Sequence, residues 1–386
     1  MRVTYTAPNR SHHYRYAAAL ARADCLHRFV SGFSRFSPRS ALPEIGDKLI
    51  RADLWQNFYL ASLKLRLPTT WSEELAHQSK KRLDRVSERP ARDSDVFLFY
   101  SGAGLRTARR LAPTAVVGMV EAVNSHVLAQ QEIMREEHRR LGLPFQPFHR
   151  REVARRLEEY ETADAILCPS TFVKESFVQQ GFSAGRIFIV PYGIALQPAA
   201  ALEPVPTDVF RVLYVGQISV RKGLRYLFEA FENLRHPRKE LWIVGPTTKQ
   251  TGIEDLRAPD QTRFLGALKG RDLARAYREA SVFVLPTVEE GLALVLGEAL
   301  SFGVPVIATA NSGGADLFSD GREGFLVPIR EPAAITEKLQ RLADDPEARE
   351  TMSASARARA QTLQGWENTG KLLVKALASA TKKSTS

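Results

Sequence analysis

Val282-Phe-Val-Leu-Pro286-Thr-Val-Glu289-Glu290-Gly291, continued by Leu292-Ala-Leu-Val-Leu-Gly297-Glu298, is the stretch that decides the fold. It opens on a short apolar run of the kind that forms a strand buried on both faces. Pro286 ends the run, an acidic pair and a glycine form a loop, and an apolar segment over 292–302 is predicted helical. A buried strand leading through a loop into a helix is half of a βαβ unit, the building block of parallel sheets. With 292–302 helical, Glu290 stands just before the helix and Glu298 about two turns along it, ~12 Å away at 1.5 Å rise per residue. Two carboxylates so placed suit two sets of sugar hydroxyls, one on a transferred sugar and one on a nucleotide ribose. The alternative assigns Glu290 to the positive end of the helix dipole and Glu298 to structure, although Glu298 interrupts an otherwise apolar face.

The same alternation extends in both directions. Upstream lie strands at 209–215, 241–244 and 262–265, with helices at 223–234 and 271–279. Downstream come a strand at 304–308 and helical pattern from 332 to the tail. The first half repeats the theme, with strands at 2–6, 95–100, 115–120, 165–168 and 186–190. Its helices are predicted at 11–22, 125–140, 149–162 and 171–179. Residues 197–207, QPAAALEPVPT, carry three prolines and no periodicity, the mark of a linker. A chain of 386 residues exceeds one ordinary core. The prediction is an α/β protein of two doubly wound Rossmann-like domains, 1–197 and 198–364, facing a cleft. A helix over 365–386 crosses back to the first domain and ends in a frayed tail. Ligands of such sheets bind at the carboxyl ends of the strands.

Apolar content of 44% and charged content of 25% describe an ordinary globular chain. Cys25 and Cys168 form neither a disulfide framework nor a C-x-x-C site, and are expected as buried free thiols. The first residues lack the apolar core of a signal peptide, and no run approaches the ~18 apolar residues of a membrane span. A cytoplasmic protein is expected, with peripheral contact to the inner face of the membrane as an option. Net charge is +11, of which residues 1–200 carry about +9. That asymmetry points to an anionic partner: a phospholipid surface, a phosphorylated acceptor or nucleic acid. Solvated arginine faces such as Arg106, Arg109 and Arg110 are the plainer explanation. No nucleic-acid-binding fingerprint or aromatic stacking platform accompanies the charge, so nucleic acid is not expected as a partner. Trp55 and Trp71, near basic helices predicted at 63–67 and 80–85, suit either an anionic membrane interface or core packing.

Three further segments carry chemistry. In Tyr214-Val-Gly216-Gln217-Ile-Ser-Val-Arg221-Lys222-Gly223 a strand ends, a loop follows and a helix begins, and the N–H groups at a helix start attract anions. Arg221 grips phosphate through paired hydrogen bonds and Lys222 adds a compact charge, which together suit a diphosphate leaving group. His126 follows the strand at 115–120, where a carboxyl edge meets the cleft. The first βα loop holds Arg10, His12 and His13, read as contacts to an anionic donor or acceptor. No carboxylate or cysteine stands at metal-ligand spacing from the two histidines, and no metal is expected.

The E-x7-E spacing of Glu290 and Glu298 and the run from Gly216 to Arg221-Lys222-Gly223 resemble family 4 retaining glycosyltransferases (glycosyl transferases group 1) of the GT-B fold. So do Ser301-Phe-Gly-Val-Pro-Val-Ile-Ala-Thr and Gly313-Gly-Ala-Asp316-Leu-Phe-Ser-Asp-Gly321 with Gly324-Phe-Leu-Val-Pro328. The resemblance is strong over 209–345 and weaker upstream. It implies transfer of a sugar from a nucleotide-diphosphate sugar to a hydroxyl acceptor (a glycan, glycolipid or small molecule) with retention of configuration. It implies no metal and no cofactor beyond the nucleotide-sugar co-substrate. Carried onto this sequence, Arg221 and Lys222 take the diphosphate, Glu290 the sugar and Glu298 the ribose. Gly216, Gln217 and Gly245 line the donor, Leu268 meets the base, and Gly291, Leu292, Ala293, Leu294 and Val295 offer backbone N–H groups. His126 corresponds to a first-domain histidine that touches the donor sugar. The chain departs from the family in lacking a Gly-Gly pair in the first loop, in Gln217 where arginine is frequent, in Ala195 and Asp316, and in Leu292-Ala293 where Phe-Gly is common. A sugar-nucleotide epimerase or hydrolase and a basic non-catalytic binding protein are the competing readings.

Overall fold

The computed structural model describes residues 1–65, 67–194, 208–247, 256–363 and 365–384. The linker predicted at 197–207 lies outside the described residues. Seven parallel strands form the first sheet: β1 (Val3–Ala7), β2 (Leu26–Ser31), β3 (Leu49–Arg51), β4 (Val96–Tyr100), β5 (Val117–Glu121), β6 (Ala165–Cys168) and β7 (Ile187–Ile189). Their order is β3-β2-β1-β4-β5-β6-β7. Six parallel strands form the second: β8 (Phe210–Val215), β9 (Lys239–Val244), β10 (Thr262–Gly266), β11 (Val282–Leu285), β12 (Val306–Thr309) and β13 (Gly324–Val327), in the order β10-β9-β8-β11-β12-β13. Strands such as VFLFY in β4 and VFVL in β11 are apolar throughout because helices cover both faces.

Each sheet reverses its winding once, between β1 and β4 in the first and between β8 and β11 in the second. At such a switch the loops leaving two adjacent strands diverge and open a crevice. The loop after β8 carries Arg221 and Lys222, and the loop after β11 carries Glu289 and Glu290, so topology alone brings these four residues together.

Two strands were not anticipated, and the basic helices expected at 63–67 and 80–85 belong to a longer pair. β2, β3 and the helical hairpin of α2 (Leu54–Lys64) and α3 (Thr69–Arg92) fill the stretch between β1 and β4. α2 is built inside out. It meets α3 through Ser62 Oγ to Ser72 Oγ at 2.9 Å and Ser79 Oγ donating to Gln56 at 2.9 Å. Leu54, Phe58 and Leu63 on α2, and Leu65 beyond it, are left exposed, and Trp71 at the start of α3 is 66% exposed. Core packing therefore does not account for Trp71. Cys168 is buried as expected, whereas Cys25 is only half-buried.

The domains are fastened by specific contacts. Ser170 Oγ donates to Gly291 O at 2.5 Å, and Thr171 N and Oγ1 donate to Asp316 at 2.8 and 2.7 Å. Arg330 Nε and Tyr226 OH both donate to Glu137 of α5 (Val127–Arg140), at 2.7 and 2.9 Å. The last helix, α13 (Trp366–Ser384), lies on α1 (His13–Arg22) of the first domain, with Thr369 Oγ1 donating to Pro191 O at 3.1 Å.

Candidate donor site in the cleft

Lys222 and Arg221 form a short 3-10 turn with Val220 that ends at Gly223. Gly223 has a φ of +67°, and a Cβ there would lie 2.1 Å from Pro286 O, so the turn is pressed against the end of β11 and only glycine fits. The Arg221 carbonyl accepts from Val288 N at 2.9 Å and Thr287 Oγ1 at 3.1 Å. Lys222 Nζ donates to Glu290 Oε2, and Arg221 Nη1 lies 3.3 Å from the same oxygen. Lys222 is buried and Arg221 half-buried, so both charges act in poorly hydrated surroundings where their pull on an anion is strong. Arg221 also donates to the Glu289 carbonyl at 3.1 Å and approaches Glu289 Oε2 at 3.4 Å. Glu290 and Glu289 outweigh burial and raise the Arg221 pKa, so the guanidinium stays charged.

Glu289 has a role that sequence reasoning missed. It is fully buried and accepts from Ser125 N at 3.2 Å, Ser125 Oγ at 2.9 Å and Gln130 Nε2 at 2.9 Å. It is thus the pin that ties the second domain's site loop to the start of α5 in the first. Gly291 reinforces this closure: a Cβ on it would stand 1.8 Å from Val123 O.

The helix after this loop, α10, spans Leu294–Ser301 and so starts later than predicted. Glu290 N donates to Asn311 O at 3.0 Å and Ala293 N to Ser312 O at 3.1 Å, which holds 290–293 as extended loop. The helical-rise distance between Glu290 and Glu298 therefore does not apply. The Ala293 N–H is spent within the protein rather than offered to a donor. Leu294 and Val295, in the uncapped first turn of α10, line the cleft with Leu292 and Ala293. Glu298 sits mid-helix and accepts from Tyr277 OH at 3.1 Å, and burial raises its pKa against that hydrogen bond.

Gly216 and Gly245 end neighbouring strands in close backbone contact, with a Cβ on Gly245 only 1.8 Å from Gly216 O. Gln217 is exposed beside them, its carbonyl accepting from Tyr214 OH at 2.9 Å. Leu268 lies half-buried between β10 and α9 (Gly270–Arg278).

Across the cleft stand His12 and His13, at the end of β1. The structure brings them a carboxylate that sequence spacing did not reveal. Glu121, at the end of β5, accepts from His12 Nε2 at 2.5 Å and from Tyr5 OH at 2.7 Å, and lies 3.2 Å from His13 Nδ1. The carboxylate comes from 109 positions away, beyond any metal-ligand spacing in the sequence. His12, His13 and Glu121 present ligand atoms within 4.8 Å of one another, enough for a metal ion. Those atoms are already engaged with one another and with Tyr5, which makes the cluster a self-satisfied polar network. Burial, with His13 beside it, pushes the His12 pKa down to about 4, so the neutral ring donates to Glu121. Burial alone would raise Glu121, but His13 and His12 outweigh it and the carboxylate is ionised.

Two expected site residues point elsewhere. Arg10 donates to Arg39 O and lies 5.0 Å over the Tyr14 ring, which draws it from the cleft toward β2. His126 is 1% exposed and packed against Tyr160, Phe177 and Phe182, with ring centroids 5.0–5.8 Å away. Its Nδ1 caps α5 by accepting from Leu128 N at 3.3 Å, and burial pushes its pKa down to about 4. The register of α5 turns this ring into the core, so it does not line the cleft.

Residues 201–359 match the family glycosyl transferases group 1. The chain is 31% identical over 207 residues to D-inositol 3-phosphate glycosyltransferase of Paenarthrobacter aurescens (strain TC1), covering 49% of this chain and 50% of that one. It is 34% identical over 149 residues to sulfoquinovosyl transferase SQD2 of Arabidopsis thaliana, covering 38% and 29%. These alignments thus span half or less of each curated relative. Sucrose-phosphate synthase of Thermosynechococcus elongatus superposes over 97% of this chain and 98% of its own, with a TM-score of 0.69 at 19% identity. HepE of Anabaena, solved in complex with UDP-glucose, covers 98% and 100% with a TM-score of 0.64 at 13% identity. The fold is GT-B, and the second half of the chain carries the group 1 glycosyltransferase signature.

Proposed function

We propose that this chain is a retaining glycosyltransferase that moves a sugar from a nucleotide-diphosphate sugar to a hydroxyl acceptor without a metal. The observation that carries the reading is the convergence of Arg221, Lys222 and Glu290 in one half-buried cluster at the switch point of the second sheet. With a donor bound, the two cations turn to the diphosphate and Glu290 to sugar hydroxyls. Negative charge grows on the diphosphate as the glycosidic bond breaks, and fixed cations in a closed cleft stabilise that state more than the ground state. The acceptor hydroxyl attacks from the face that the diphosphate leaves and passes its proton to a phosphate oxygen, so no enzymic nucleophile is needed. Glu298, its proton affinity raised by burial, bonds the ribose. The UDP-glucose carried by the solved relative supports a nucleotide sugar as donor. The test is the anomer formed from an α-linked donor, read by NMR: an α product is expected, and a β product would contradict the retaining route.

The first domain favours a surface contact as well. Its excess of about +9 charges and the outward apolar face of α2 together fit an anionic bilayer, with Trp71 and Phe58 seated at headgroup depth. Among the described residues no helix is long and apolar enough to cross a membrane, so the contact proposed is peripheral.

A further inference from the structure

The carboxylate of Glu289 stands where the two domains meet, and its partners divide unequally between them. Three hydrogen bonds reach it from the first domain, from Ser125 N at 3.2 Å, Ser125 Oγ at 2.9 Å and Gln130 Nε2 at 2.9 Å. Among the described residues, its one partner in the second domain is Arg221, whose Nη1 lies 3.4 Å from Oε2. That separation exceeds the ~2.7–2.9 Å of a well-made charge-assisted hydrogen bond, so the ion pair is loose.

Glu289 is fully buried. A buried carboxylate without donors is costly, so it takes whichever donors are within reach. Those of the first domain sit at the start of α5, and the turn that bears Arg221 packs against the same helix. Further along, α5 carries Glu137, which accepts from Arg330 and Tyr226 of the second domain. This one helix therefore meets the second domain at both ends and moves with the first. A cleft between two domains opens to take in substrate and closes over it. Parting the domains withdraws Ser125 and Gln130 and leaves Arg221 as the partner that remains to Glu289. The competing arrangement is packing alone, with α5 positioning the Arg221 turn by contact and Glu289 serving only as filler.

We propose that Glu289 is a positioning residue that couples domain closure to the diphosphate site. With the domains closed, Ser125 and Gln130 hold its carboxylate and Arg221 can turn to the diphosphate. With them parted, Glu289 draws Arg221 into a closer ion pair and away from the leaving group. The full cationic grip assembles only once the first domain is in place, which restrains cleavage of the donor in an open, hydrated cleft. The consequence for the donor rests on the glycosyl-transfer reading, whereas the exchange of partners by Glu289 does not.

Ser125→Ala with Gln130→Leu removes both side-chain donors without touching Arg221. Calorimetric titration with whichever of UDP, GDP and ADP binds the wild type most tightly should show about 10-fold weaker binding by this double variant. Adding Glu289→Gln, which has no charge to hold a guanidinium, should return the affinity to within about threefold of wild type. Packing alone gives no such rescue. Unchanged affinity in the double variant, or a triple variant as weak as the double, overturns the proposal. Arginine Nε–Hε NMR of the ligand-free proteins, with Arg221 identified by its loss in Arg221→Lys, reads the exchange directly. The Arg221 guanidinium should rotate more slowly in the double variant than in the triple, and equal rotation in the two contradicts the proposal. A wild type that binds none of the three nucleotides counts against the donor reading, and the NMR comparison still decides this one. Should the double variant fold poorly, Gln130→Leu alone carries the same comparison with a smaller loss.

Discussion

At the scale of single residues, Lys222 and Glu290 form a direct ion pair in the site. Lys222→Ala is expected to lower kcat by about 100-fold or more, the usual effect of removing one preorganised donor to developing charge. A steady-state assay at saturating donor checks this, and a change confined to KM would show that Lys222 only binds. Burial sets the behaviour of His126 differently. Its pKa is near 4 in the folded chain against about 6.5 when exposed. Between pH 6.5 and 4 the unfolded state takes up the proton first, so stability is complete above 6.5 and falls on acidification, by up to about 3 kcal/mol for this group. Denaturant titrations across that window should show a shallower loss for His126→Gln than for wild type, whereas parallel curves would mean the ring is not held neutral. Arg221, Lys222 and Glu290 were legible in the sequence because each belongs to a short local motif. Glu121 and Glu289 were not. Their partners lie on other strands and helices (Glu121 meets His12 across 109 positions), and no local pattern encodes such a pairing.

At the scale of elements, buried strands were read easily because continuous apolar runs have few other uses. β11 was placed to the residue, and β8 and β5 within two. The start of α10 was misplaced because Asn311 and Ser312, beyond the helix, hold the preceding backbone extended. α3 was read only as a basic helix at 80–85 because its 24 residues are dominated by charge, and its buried side is largely serine with Leu83 and Ala91. α2 carries the opposite anomaly, an apolar face with no cover. Flotation with vesicles of phosphatidylglycerol should recover the wild type. Phe58→Ser with Trp71→Ser should lower recovery several-fold while leaving donor binding intact. Equal recovery with phosphatidylcholine alone, or none at all, would dismiss an anionic bilayer as the partner of this face. The loop before α10 yields a separate expectation. Gly291→Ala places a methyl against Val123 O and must part the domains at the site. Activity should fall while the melting temperature moves by only a few degrees, and unimpaired turnover would show that the closure seen here is not needed.

At the scale of the whole molecule, both sheets use one design, with the winding reversed at β1/β4 and at β8/β11 so that two crevices face each other. The second crevice holds Arg221, Lys222 and Glu290; the first holds His12, His13 and Glu121. Glu289, Gly291 and the Thr171–Asp316 contact keep the two in register. On the proposed function, the leaving group lies on the basic turn of the second domain and the acceptor in the recesses of the first. That reading requires a nucleoside diphosphate to bind at the β8–β11 switch point. Calorimetric titration of UDP, GDP and ADP into the wild type and into Arg221→Ala with Lys222→Ala measures that binding. Saturable one-to-one binding of at least one of the three is expected, lost in the Arg221–Lys222 double variant. Binding of none, or binding that survives removal of Arg221 and Lys222, would contradict it.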